Sequence, residues 1–142
     1  MYDQGNLVSL FTMLGALEKI LRYTKDIDSG EELYSTQDQL VFNACYALLL
    51  TIGEESKKLD DAIRTENQQL PWRELKGLRN TLAHEYRRVN QEIVFNIIKE
   101  ELPTLRGELV RIIGKTDVST SMLERILKTK YYAHLKYLFA NE

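Results

Sequence analysis

Leu7, Leu10, Leu14, Leu17 and Leu21 recur at alternating steps of three and four. Such a series lines one face of an α-helix, whose turn of about 3.6 residues returns side chains to the same side every third or fourth position. A strand would need an apolar residue at every second position instead. Similar rows recur down the chain, and only 7 Gly and 2 Pro in 142 residues offer places to break them. A hydrophobic content of 44% argues against disorder. The expectation is an all-α domain: an antiparallel four- to five-helix bundle with an additional helix at the C-terminus.

Capping signals divide the chain further. Asn6 reads as the N-cap of a first helix that runs to about Tyr23, and Ser29-Gly30 breaks the polar link after it. Ser35, with Asp38 in the first turn, then caps a second helix. Its inward face is expected to carry Leu40, Val41, Ala44, Cys45, Leu48, Ile52 and Leu59, with Gly53 admitting another helix closely. Pro71 opens a third helix, because its missing N–H would have no partner in a first turn. Trp72, Leu75, Leu78 and Leu82 form the apolar row there, leaving Lys76, Arg79 and Tyr86 on another side, and the helix ends near Arg87 or Val89. Asn90 and Glu92 start a fourth, bent at Pro103 and ended by Gly114. Ser121 and Glu124 have capping-box spacing ahead of a last amphipathic helix through Leu138.

Charge and cysteine usage narrow the classes. The lone Cys45 cannot close an internal disulfide and reads as a small core residue, and the first apolar segment contains Glu18, Lys19 and Arg22. A cytoplasmic chain with no membrane span and no signal peptide is expected. A net charge of −2 gives no global case for nucleic acid. Locally the balance reverses: from Arg64 to Arg88, six cations face three carboxylates, a net of +3.

That basic stretch also holds the densest chemistry. Arg79, Asn80, His84 and Tyr86 are spaced Arg-Asn-x-x-x-His-x-Tyr. Arginine keeps its charge and matches phosphate oxygens with a planar fork, and histidine titrates near neutrality, so the pair suits phosphodiester cleavage. Asn80 could orient the imidazole, touch phosphate, or make a structural hydrogen bond. Lys76, Arg87 and Arg88 add positive charge for an RNA backbone. At about 100° per residue, positions 79 and 86 lie within about 20° of each other, whereas 79 and 84 differ by about 140°. The arginine and histidine therefore converge only if the helix unwinds or if a two-fold homodimer shares one cleft; the dimer is the favoured reading. His134, fifty residues away and without clustered carboxylates, is expected to be a plain helix residue, and no metal site or cofactor is expected.

Arg-Asn-Thr-Leu-Ala-His-Glu-Tyr (79–86), with Pro-Trp-Arg-Glu-Leu-Lys-Gly-Leu before it and Arg-Arg-Val-Asn-Gln-Glu-Ile-Val-Phe after it, resembles the HepT-like toxins of the HEPN superfamily. Leu-Arg-Tyr-Thr (21–24), Leu-Thr-Ile-Gly-Glu-Glu (50–55) and Glu-Leu-Pro-Thr-Leu (101–105) are similar to that family's other helices. The resemblance covers roughly residues 7–113 of a single HEPN-like domain and leaves 115–142 as an extension. It implies a dimeric, metal-independent endoribonuclease with Arg79 and His84 catalytic and Asn80 between them. It also implies a nucleotidyltransferase antitoxin that transfers AMP to Tyr86 and so neutralises the toxin. The alternatives are a non-catalytic helical subunit that presents substrate to such a nucleotidyltransferase and a plain helical dimerisation domain.

Overall fold

The computed structural model describes residues 4–84, 90–115 and 120–139, and among them every regular element is helical. In chain order these are α1 (Gln4–Tyr23), α2 (Gly30–Ser35), α3 (Leu40–Lys57), α4 (Asp61–Glu66), α5 (Trp72–His84) and α6 (Gln91–Asn96). A π turn (Ile97–Glu101) leads into α7 (Leu102–Lys115), followed by α8 (Thr120–Lys128) and a 3-10 segment (Ala133–Phe139). The all-α expectation holds, and so does the leucine row. Leu10, Leu14 and Leu17 are fully buried, against α3 on one side and α7 on the other.

Polar ties at the helix ends show the antiparallel arrangement. Asn6 near the start of α1 meets Asp60 beyond the end of α3. Toward the other end of α1, Glu18 pairs with Arg106 of α7, and Lys99 of the π turn donates to the Thr24 carbonyl at 2.8 Å. Across the second layer, α3 packs on α5.

Several boundaries differ from the sequence reading. Asn6 does not cap α1, which starts earlier. The residue is buried, its amide donates to Asp60 Oδ2 at 2.7 Å, and its Oδ1 accepts the Asp60 N–H at 3.1 Å. The next cap is Ser29, not Ser35: Ser29 Oγ accepts the Glu32 N–H at 3.0 Å, while the Glu32 carboxylate accepts the Asp28 N–H at 3.0 Å. Ser29 and Glu32 have the capping-box spacing, so the supposed breaker initiates α2. Ser35 ends it. The chain then turns through Gln37, Asp38 and Gln39, all in the left-handed region with φ of 51°, 54° and 69°, before α3 begins.

The buried stripe of α3 also differs from the expected one, because packing against α1 and α5 selects the face. Phe42, Cys45, Tyr46, Leu49, Ile52, Gly53 and Ser56 are buried, whereas Leu40 is 60% exposed. Pro71 precedes α5 as its cap, its carbonyl accepting the Leu75 N–H at 2.9 Å. Asn90 caps α6 as expected, with Oδ1 2.8 Å from the Glu92 nitrogen. The disturbance expected at Pro103 takes the form of the π turn just ahead of it, a widened turn that accommodates a residue lacking a backbone donor. Ser121 lies inside α8, one residue after its start.

The C-terminal segment is not one long helix. It stops at Lys128, with Thr129 bonding back to the Ile126 carbonyl, and resumes as the 3-10 turn. That turn lies on α1: Leu135 is fully buried, Tyr132 OH is 2.6 Å from Thr12 Oγ1, and His134 Nε2 is 3.2 Å from the Gly15 carbonyl. His134 is thus a packing residue, in a 3-10 turn and not in an α-helix. No described helix is long and apolar enough to cross a membrane.

Candidate functional site

Within the segment singled out in the sequence, Trp72–His84 form α5, and α3 comes close to it at Arg79. A Cβ on Gly53 would stand 2.6 Å from Arg79 Cβ and 3.3 Å from its Cα, so α5 can sit here only against a residue without a side chain. The expected close approach at Gly53 is present. Arg79 is consequently not on a side apart from the apolar row. Its backbone abuts α3, while the buried Leu75 and Leu82 pack in the same core.

Contact with α3 also fixes the guanidinium. Arg79 Nε donates to Glu54 Oε1 in an ion pair, and Nη1 donates to Asn80 Oδ1 at 3.0 Å. Among the described residues none bonds Nη2. The hydrogen bond from Arg79, followed by the charges of Arg79, Lys57 and Lys58, holds the Glu54 carboxyl below its ordinary value. Asn80 is exposed and bonds Arg79, so of the roles open to it the described contact is a positioning one. Glu54 was not anticipated as part of the site. Its signal was available in hindsight: a carboxylate directly after a glycine that admits a cationic helix.

Tyr46 supplies a second tether. Its buried phenol donates to the Leu82 carbonyl in the last turn of α5, a group with no obligatory acceptor role elsewhere in a helix end. The helix is regular through His84. Positions 79 and 84 are therefore turned about 140° apart on the described backbone. Lys76, one turn before Arg79, is exposed. Tyr86, Arg87 and Arg88 lie outside the described residues.

Hollows lie on two sides of α5. On one side, an apolar groove of 420 Å³ runs between α5 and the α6–α7 helix, lined among others by Leu75, Leu78, Ile97 and Leu105, with Ile93 58% exposed beside them. On the other, a smaller pocket lies where α3, α4 and α5 meet, lined by Ser56, Lys57, Arg64, Trp72 and Lys76. No group of three or more potential metal ligands occurs among the described residues. Cys45 is buried in the core, where desolvation pushes its thiol up to about 12.

Comparison with known proteins points to one family. The family described as Ribonuclease HepT-like matches residues 13–112. A Methanocaldococcus jannaschii protein named "Putative RNase MJ1380" is 30% identical over 100 residues, covering 70% of this chain and 89% of its own. A second from that organism, "Putative RNase MJ0125", is 32% identical over 104 residues, covering 73% and 87%. "Probable ribonuclease HepT" of Thermococcus cleftensis is 29% identical over 97 residues, covering 68% and 86%. No solved structure matches the chain significantly. With the family match spanning α1 through α7 and including the Arg79–His84 segment, the chain belongs to the HepT-like ribonuclease family.

Proposed function

We propose that this protein is a metal-independent endoribonuclease toxin, active as a homodimer and silenced when a nucleotidyltransferase antitoxin attaches AMP to Tyr86. The observation that carries the reading is the state of Arg79. Glu54 takes its Nε–H and Asn80 one N–H of Nη1, leaving other N–H groups, those of Nη2 among them, for a phosphate. A preset cation of this kind stabilises the charge that grows on phosphate oxygens during displacement.

The regular course of α5 through His84 favours the two-chain site. One chain presents positions 79 and 84 in diverging directions, so a second copy facing α5 would complete the cleft. The apolar groove beside α5 gives such a copy a surface to bury. In the reaction, one His84 takes the proton of the attacking 2′-hydroxyl, and the 2′-oxygen forms a bond to phosphorus. The P–O5′ bond breaks, and the other copy's His84 gives a proton to the departing oxygen. The products are a 2′,3′-cyclic phosphate and a 5′-hydroxyl. Lys76, Arg87 and Arg88 carry the flanking strand. The sequence spacing of seven between Arg79 and Tyr86 supports this silencing: an AMP on Tyr86 would bring its own phosphate to the arginine and exclude RNA.

The test is cleavage of mixed RNA in excess chelator by protein that mass spectrometry shows to be free of AMP, against His84→Ala. Cyclic phosphate ends from the first and none from the second are expected. No cleavage by confirmed unmodified dimer on several RNAs would replace this reading with the non-catalytic subunit.

A further inference from the structure

A strand whose phosphate is held at Arg79 must continue along the protein, and the same face of α5 leads to the smaller pocket. Trp72, Lys76 and Arg79 are spaced four and three apart, within about 60° of one another around the helix. The pocket measures 190 Å³; three of its five lining residues, Lys57, Arg64 and Lys76, are cationic and none is acidic. Its aromatic wall is held in place, with Trp72 Nε1 donating to the Asn67 carbonyl at 3.0 Å. Arg64 lies over the ring, its guanidinium carbon 5.8 Å from the centroid, and Nη2 donates to the Ser56 and Lys57 carbonyls at 3.0 and 3.2 Å. Its Nε is buried without an acceptor among the described residues, an unmet donor in the pocket wall.

We infer that this pocket holds one base of the single-stranded RNA substrate, with Lys57 and Lys76 on the adjoining phosphates and Arg79 on the phosphate to be cut. The inference rests on the ribonuclease reading and adds to it a place for the strand. An indole among cations recognises single strands without regard to sequence, because every base has a face to stack and every step a phosphate to neutralise. A site for a bare anion would have no use for the indole, and an acidic peptide would not stack on it. The volume is below the roughly 300 Å³ and more of sites for larger organic ligands, and it suits one planar base with sugar and phosphate at the rim.

Trp72 is the only tryptophan in the chain, so its emission reports on the pocket directly. The full-length, unmodified protein is titrated with a 2′-O-methyl RNA hexamer, which lacks the nucleophilic hydroxyl and stays intact. Anisotropy of a labelled copy in a separate titration gives the affinity. Saturable quenching with the same midpoint as the anisotropy is expected. Lys57→Ala with Lys76→Ala should weaken binding about tenfold and lower the salt slope by about 0.7 per lysine removed. Trp72→Phe, which keeps an aromatic face, should hold affinity within about threefold. Binding that leaves Trp72 emission unchanged overturns the inference. So does quenching reproduced by inorganic phosphate or poly-glutamate at the same concentrations, affinity indifferent to the two lysines, or the absence of any binding. The two readings separate cleanly: quenching without cleavage of natural RNA leaves the strand site and removes the ribonuclease, and cleavage without quenching does the reverse.

Discussion

Gly53 and Arg79 meet backbone to backbone across the α3–α5 contact, so that a single methyl group on the glycine would lie 2.6 Å from Arg79 Cβ. The obstructing atoms belong to the base of the side chain and cannot swing away. Gly53→Ala should therefore push α5 off α3. The overpacking cost of about 1–3 kcal/mol outweighs the gain of up to about 1 kcal/mol from replacing a mid-helix glycine. Urea unfolding should show a net loss of about 1–2 kcal/mol, and RNA cleavage should fall further than the folded fraction does. A neutral or stabilising outcome would mean that the two helices are not held this closely.

The tether between Glu54 and Arg79 should respond to acid. The folded-state pKa of Glu54 is lowered, so the interaction is complete above the unfolded carboxylate value of about 4.3 and is lost as pH falls through the lower, folded value. The Arg79 Nε–H resonance should persist from neutral pH to below the usual glutamate range and then disappear. Glu54→Gln should abolish that titration. A Glu54 carboxyl that titrates like an exposed glutamate would sink the argument.

Tyr46 holds the end of α5 through the Leu82 carbonyl. Tyr46→Phe keeps the ring in the core but removes the donor, and should cost about 1–2 kcal/mol in chemical denaturation. Amide exchange in the last turn of α5 should quicken more than exchange in α1. Uniform loss of protection would instead point to a general packing defect.

Cys45 should be chemically silent. Burial pushes its thiol to about 12, and a thiol reacts through its thiolate. At pH 8, alkylation by iodoacetamide should be at least about a hundredfold slower in native protein than in urea. Rapid native labelling would show that α3 opens readily.

Periodicity and capping made much of this fold legible, because both are local. The α1 leucines, the Asn90 cap and the glycine at the α3–α5 crossing could be read from spacing alone. The start of α3 could not: Gln37, Asp38 and Gln39 adopt a backbone that L-residues seldom take, and nothing in their identities announces it. Nor could its inward face: Leu40 is exposed while Phe42, Tyr46 and Leu49 turn inward, because packing against α1 and α5 selects that stripe. The site divides the same way. Arg79, Asn80 and His84 stand out within one segment, but Glu54 reaches Arg79 from twenty-five positions away, and only tertiary packing joins them. The C-terminal segment was misread because its apolar spacing fits a helix, while contacts from Tyr132, His134 and Leu135 to α1 select a tighter turn.

The left-handed corner between α2 and α3 carries a reserve of stability the natural sequence leaves unused. Three successive residues without glycine occupy a region that disfavours a Cβ, and Gln39 also stands at the N-cap of α3 without a side-chain hydrogen bond to the helix. Gln39→Gly relieves the backbone strain and gives up no cap hydrogen bond, and should raise stability by about 0.5–1 kcal/mol, read as a higher urea midpoint at unchanged slope. The added stability would make this variant a favourable background in which to study weakened site variants.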